Sequence, residues 1–351
     1  MENKPISSAQ IEKYASSEIP DSVADHPGMT SIQERALLYG LARSYFTGQG
    51  VIIDAGVFLG ASSAAFGEGV LENTNIPSAN EAVIHSYDIA IWLDGFKKYL
   101  KSDPASQAIQ SHNLQSGSSF EEPLKQVLKK YARLQRFVIG DIVSLAPNHR
   151  GPIEIAFYDC LKNYERDEAA FSAFTPHYIP GRTIVLQQDY FYELAAYNKI
   201  RQEYFMDHYK FIGAVKDTAV FLCTSPLPRI DKDDDPILRL TISEQLALIE
   251  VAADRTADRF RRIKVRLAGL QHAIDLAEYG HAARLASSIG DEIRHTGNAS
   301  RQERIRSVFN NCAQKVNNHN PESQKIELIP VFRESIRKRL KARLRNNFGR
   351  S

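Results

Sequence analysis

The chain has 351 residues, 43% of them hydrophobic and 25% charged, the composition of a soluble protein with a real core. No apolar run approaches the roughly 18 residues of a membrane span, and the polar start Met1-Glu-Asn-Lys-Pro5 lacks an apolar signal stretch, which points to the cytoplasm. Cys160, Cys223 and Cys312 are scattered and odd in number, which argues against a disulfide framework and fits a reducing compartment. The net charge of +2 conceals a strongly basic end: eight Lys or Arg against one Glu from Arg333 to Ser351.

Residues 1–28 read as a polar, loop-like segment with Pro5, Pro20 and Pro27. A helix begins near Ser31, whose spacing to Glu34 is that of a capping box, and Ala36, Leu37, Leu41 and Ala42 supply its apolar stripe. Val51–Ala55 is a buried strand that runs into Gly56 and Gly60, and a helix follows to about Leu71. After an irregular stretch, Val83–Tyr87 is a strand ending at Asp88. Trp92–Leu100 reads as helical, and Ser119 with Glu122 as a second capping box. Strands follow over Arg136–Ile139, before Gly140-Asp141, and over Ile153–Tyr158, before Asp159. A helix over Tyr164–Phe174 leads to strand Thr183–Gln187, closed by Gln188-Asp189-Tyr190. One more helix (Phe191–His208) precedes a hairpin, Tyr209–Ala214 and Thr218–Thr224. Pro226, Pro228 and the acidic run 231–235 mark a boundary, and everything after Thr241 reads as helix.

Alternating strands and helices predict an α/β, doubly wound and mainly parallel seven-stranded sheet with an antiparallel edge, followed by an all-helical extension. The expected divisions are 1–28, 29–228 and 229–351. In such sheets ligands bind beyond the carboxyl ends of the strands. Here those ends carry Asp54, Asp88, Asp141, Asp159 and Asp189 in succession. A single acid there is commonly a helix cap or a solvated turn residue, but five along one edge are hard to explain as caps alone.

At these positions the chain resembles the class I S-adenosylmethionine-dependent methyltransferases over about residues 29–225. It is most similar to small-molecule and sugar O-methyltransferases of the macrocin type. Asp54-Ala-Gly56-Val-Phe-Leu-Gly60-Ala-Ser62 matches the first motif, whose glycine turn contacts the methionine part of the cofactor. The resemblance implies that Asp88 takes the ribose hydroxyls, that Asp141 lies beside the adenine, and that Asp159 lies near the reacting methyl. The expected product is an O-methylated small molecule or sugar unit.

Three departures stand out. Residues 70–82 read as an insertion; Asp159-Cys-Leu-Lys-Asn-Tyr-Glu165 replaces the relatives' Asp-Gly-Asp-His-Ser-Tyr-Glu; and Gln188 stands where metal-dependent relatives have an acid. A divalent metal such as magnesium, if used, falls to Asp159 and Asp189. For the acceptor's proton the candidates are Asp159, His177 and Tyr164, with Asp189 beside them. His177 is equally readable as a surface turn residue, and Tyr190, Phe191 and Cys160 as core. Trp92 suits either the adenosine or the following helix. Neither a P-loop nor a dinucleotide fingerprint is present.

Phe332, Ile336, Leu340, Leu344 and Phe348 recur every four residues, with Arg337, Lys338, Arg339, Lys341, Arg343 and Arg345 between them, an amphipathic helix with a cationic face. It suits docking on the protein itself, a peripheral contact with an anionic membrane face, or a partner. Strand four lacks the motif of base-directed amino methyltransferases, which argues against nucleic acid. Two other readings stay open: a catalytically silent S-adenosylmethionine-binding scaffold, and a polymer methyltransferase guided by the basic segment. The acceptor's identity and any homo-oligomer are not legible.

Overall fold

The computed structural model describes residues 6–76, 82–230, 232–295, 299–319 and 325–329. The chain divides into two compact units, Met1–Phe191 with Tyr197–Arg239, and Tyr192–Ala196 with Leu240–Ser351.

The first unit is built on one seven-stranded sheet: β1 (Val51–Ala55), β2 (Ile84–Asp88), β3 (Gln135–Ile139), β4 (Ile153–Tyr158), β5 (Ile184–Gln187), β6 (Tyr209–Val215) and β7 (Thr218–Cys223). Their spatial order is β3-β2-β1-β4-β5-β7-β6. Strands β1 to β5 pair in parallel, and β7 runs antiparallel to both β5 and β6. The predicted hairpin is therefore present, with β7 inserted beside β5 and β6 forming the edge. Strand β4 is buried along its whole length, as a central parallel strand covered on both faces must be.

The helices of this unit are α1 (Ser8–Ala15), α2 (Asp21–Ala24), α3 (Ile32–Ser44), α4 (Ala61–Leu71), α5 (Pro104–Gln110), α6 (Glu121–Val127), α7 (Ile142–Leu145), α8 (Tyr164–Phe174) and α9 (Tyr197–Tyr204). One sheet face packs Ile52, Ile155, Phe157, Ile184 and Leu186 against Leu37, Leu38 and Leu41 of α3 and Phe66 of α4. On the other face Phe174 of α8 lies between the rings of Tyr87 (centroids 5.4 Å apart) and Tyr158 (6.0 Å). The capping box predicted at the start of α3 is present: Ser31 Oγ accepts from Glu34 N, and the Glu34 carboxylate accepts from Ser31 N at 2.9 Å.

Several local expectations change. Of the segment expected to be loop-like, the described residues 6–28 are not: α1 carries a capping box of Ser7 and Gln10, and Ile6, Ile11 and Val23 join the core. Arg35 of α3 donates to the carbonyls of Val23 and His26 at 2.9 and 2.5 Å. Pro20 sits just ahead of α2, where its missing N–H costs nothing, so it opens a helix instead of excluding one. The capping box at Ser119 is absent; Phe120 is the N-cap, without a side-chain bond, and Ser119 Oγ accepts only from Glu121 N at 3.2 Å. Between Trp92 and Leu100 the chain forms a 3-10 helix, Asp94–Tyr99. The helix expected over Phe191–His208 shrinks to α9 and a 3-10 turn, Met206–His208.

The second unit is helical: α10 (Ile242–Asp254), α11 (Arg259–Asp275), α12 (Tyr279–Arg294) and α13 (Ala299–His319). A Thr241–Glu244 capping box starts α10. Leu246, Ile249, Ile263, Leu267, Leu270, Ile289, Ile293 and Phe309 are buried. Arg266 ties three helices together, bonding Glu250 at 2.9 Å and Glu292 at 2.7 Å. Among the described residues no helix is long and apolar enough to cross a membrane. The amphipathic pattern at 332–348 lies outside the described residues.

Candidate active site

The parallel register brings the strand ends into one row. Gly56 N donates to Tyr87 O (2.8 Å), Asp159 N to Ala55 O (2.7 Å), Gly140 N to Asp88 O (2.8 Å) and Gln188 N to Tyr158 O (2.9 Å). Each bond extends the ladder by one residue past the last strand pair. Gly56, Asp88, Gly140, Asp159 and Gln188 are thereby fixed side by side at the carboxyl rim, where doubly wound sheets bind ligands.

Gly56 has φ +98°, and a Cβ there would lie 2.8 Å from the Asp159 carbonyl carbon. Only glycine fits so tight a turn against β4. Asp54, two residues earlier in β1, is fully buried. Its Oδ2 accepts from Ser62 Oγ (3.0 Å) and Ser63 Oγ (2.5 Å), while Oδ1 is buried without a hydrogen-bond partner. Burial pushes the carboxyl up to about 7, against the opposing pull of the two serines. Ser62 therefore holds Asp54. Gly60 is the left-handed N-cap of α4, and its Cβ position is 3.0 Å from His26 Nε2 and 3.1 Å from Leu128.

Asp88 and Asp141 line one open cavity, together with Gly56, Tyr87, Gly140, Cys160 and Arg166. Each Asp88 oxygen takes a backbone N–H, Oδ2 from Phe58 and Oδ1 from Ala90, both at 2.7 Å. That locks the carboxylate's orientation. Burial nonetheless raises its pKa, with those backbone donors opposing. Asp141 is exposed and caps α7 through Val143 N at 3.1 Å.

Tyr158 of β4 pairs with Gln187 of β5, so Asp159 and Gln188-Asp189 finish next to each other. Burial, then the nearby Asp189 carboxylate, lift Asp159 well above the usual carboxylate range, and Lys162 opposes. Lys162 Nζ lies 3.3 Å from Asp189 Oδ2. Gln188 Oε1 accepts from Thr218 Oγ1 at 2.5 Å.

His177 is not brought to this rim. It follows α8 and precedes β5, and its ring stacks edge-on against His149 (centroids 4.9 Å apart), which lies in the loop leading into β4. Tyr178 bridges to Ile153, the first residue of β4, whereas Asp159 follows the last. A strand of that length separates His177 from the acids by roughly 20 Å, at about 3.3 Å per residue. The sequence named a strand connection correctly but not which end of the sheet it occupies.

Four more side chains take structural places. Tyr164 donates to Asp235 Oδ2 at 3.1 Å. Trp92 is buried against Phe96 and Phe120, and Tyr190 donates to Glu203 in the interior. Burial pushes the Cys160 thiol far up, which removes it as a nucleophile.

Arg166 escaped the sequence reading. It sits in the first turn of α8, behind the N-cap Asn163. A cation there opposes the helix dipole, and that misplacement was the signal available. It lines the cavity with Asp88 and lowers the Asp88 pKa.

No family model and no curated protein matches the chain. Among solved structures it is similar to the O-methyltransferase NovP, at 15% identity over 62% of this chain and 97% of that one, TM-score 0.43. It is also similar to CalS11, a calicheamicin methyltransferase, at 18% identity over 62% and 90%, TM-score 0.42. The S-adenosylhomocysteine-bound methyltransferase PaMTH1 of Podospora anserina follows at 16% identity over 62% and 93%, TM-score 0.38. All three likenesses are loose. Residue by residue, the strand order and the row of strand ends give this chain a Rossmann-like, doubly wound sheet of the architecture its motifs implied.

Proposed function

We propose that this chain transfers the methyl group of S-adenosylmethionine to a hydroxyl oxygen of a small molecule or sugar unit. The observation that carries the reading is the shared cavity of Gly56, Asp88, Gly140 and Asp141 beside the acids ending β4 and β5. The residues fit the methyl donor. Asp54 Oδ1, buried and short of a donor, suits the ammonium of the donor's methionine part. Asp88, with both oxygens already oriented by backbone N–H groups, has lone pairs left for two ribose hydroxyls, as charge-assisted bonds. Methyl transfer is an in-line displacement, so holding donor and acceptor in line supplies much of the rate. Asp159, at the end of β4 beside Gln188-Asp189 and lifted by burial above the usual carboxylate range, is the group placed to take the acceptor's proton.

A divalent metal does not fit as well. Hard cations want six or more oxygens. This rim offers two carboxylates, the Gln188 amide already bonded to Thr218, and an ammonium 3.3 Å from Asp189. A dication about 4 Å from that ammonium meets a repulsion of roughly 8 kcal/mol at an effective dielectric near 20. Among the described residues no group of three or more His, Cys, Asp and Glu is arranged to hold a metal.

Calorimetry with S-adenosylmethionine and S-adenosylhomocysteine tests the reading. Both should bind, and Asp88→Ala should weaken binding by about tenfold to a hundredfold, the worth of hydrogen bonds to a charged group. No binding of either compound by the wild-type protein ends the proposal.

A further inference from the structure

The rim at the ends of β4 and β5 carries a cation of its own, whose role depends on methyl transfer taking place there. Lys162 lies in the short connection between Asp159 and α8. Its Nζ is 3.3 Å from Asp189 Oδ2, while its side chain is 48% exposed and that of Asp189 14%. The ammonium is thus anchored at its inner side and reachable from solvent at its outer side. Asp159 and Gln188 follow the last paired residues of adjacent strands, Asp189 comes one residue further, and Lys162 is a positive charge that acts on Asp159. Gln188, the remaining side chain at the end of β5, is neutral and held by Thr218.

We propose, resting on the methyl-transfer reading, that the Lys162 ammonium does here what a divalent cation does at a metal-dependent rim: it balances the Asp159–Asp189 carboxylate pair and draws the acceptor oxygen into line, so that methyl transfer proceeds without metal. An ammonium suits that task because it is a compact point charge with three donors on a long, adaptable stem. The acceptor hydroxyl approaches Nζ, and its proton passes to the Asp159 carboxylate. The new O–CH3 bond forms as the S–CH3 bond breaks. The electron pair of the broken bond stays on sulfur, which leaves as a neutral thioether. Throughout, the fixed positive charge faces the oxygen on which negative charge develops.

The test uses the full-length protein and manganese(II) as the probe, read by its electron paramagnetic resonance signal, with S-adenosylhomocysteine calorimetry on the same preparations. Wild-type protein should hold no stoichiometric manganese up to about 1 mM, the weak end of hard-cation sites. The double variant Lys162→Ala/Gln188→Asp removes the ammonium and adds a carboxylate, and should gain one manganese ion per chain. Its affinity for S-adenosylhomocysteine should stay within twofold, since neither residue lines the donor cavity. A merely structural lysine has no reason to create a metal site when it is removed. Stoichiometric manganese on the wild-type protein that Asp159→Asn abolishes overturns the inference, and so does a double variant that is folded yet binds none. Absence of S-adenosylhomocysteine binding in wild-type protein, by contrast, sinks the methyl-transfer reading itself, whatever manganese does.

Discussion

Asp54 is a buried carboxyl held by two serine hydroxyls and no counter-charge, so its pKa stands near 7 and not near 4. A carboxyl raised on folding binds a proton in the folded state that the unfolded chain has given up. Its stabilising contribution is complete below about pH 4 and is lost as pH climbs to about 7. The protein without ligand should therefore lose stability over that window. A ligand ammonium at Oδ1 supplies the missing charge and needs the ionised carboxylate. Affinity for S-adenosylhomocysteine should rise by up to about tenfold per pH unit below about 7 and level off above it. Calorimetry in buffers of different ionisation enthalpy should detect proton release at pH 6, and Asp54→Asn should flatten the profile. A flat profile in wild-type protein refutes this role for Asp54.

At the scale of elements, the carboxyl rim is held from behind by a buried charge triad. Arg201 of α9 bonds Asp167 of α8 at 2.5 Å and Asp235 at 2.7 Å, with all three side chains at most 3% exposed. Such a triad contributes little net stability, but losing one member strands the others. Arg201→Met should destabilise the protein by about 3–5 kcal/mol at pH 7. Urea unfolding should show the deficit shrinking as pH falls toward 5, because burial raises the Asp167 carboxyl above its ordinary range and protonating it relieves a stranded charge. An equal deficit at both pH values would show that lost packing, not charge, is responsible. The same geometry explains Tyr164, whose hydroxyl is spent on Asp235 and is not available to a substrate.

Across the whole molecule, residues 6–28 contribute to the core of the sheet unit. Ile6, Ile11 and Val23 are each at most 3% exposed, and His26 Nε2 meets the Leu59 carbonyl at 3.0 Å in the turn after β1. Burying three aliphatic side chains is worth roughly 5–9 kcal/mol as an upper figure. That is comparable with the entire stability of an ordinary domain. A chain beginning at Met29 should therefore fail to give a cooperative melting transition, followed by circular dichroism. A truncated protein that melts within a few degrees of the full chain would return the segment to the status of a dispensable loop.

The chain by itself determined the strands, their order of use and the acids at their ends. Strand β1, strand β4 and α8 begin and end where the sequence placed them, because each is a local statement: a continuous apolar run, or a capped helix, bounded by a polar stop. The rim acids were legible for the same reason, since the residue just past a parallel strand lies at its carboxyl end. Tertiary structure alone decided everything that depends on which side of the sheet a connection crosses. His177 lies in a connection as polar as the one that holds Lys162, yet one opens a strand and the other follows one, so they occupy opposite rims. The N-terminal helices carry one buried apolar residue apiece, Ile11 and Val23, too few for periodicity to register. Their burial, like the meeting of Lys162 with Asp189, arises from contacts between residues distant along the chain, which no local pattern encodes.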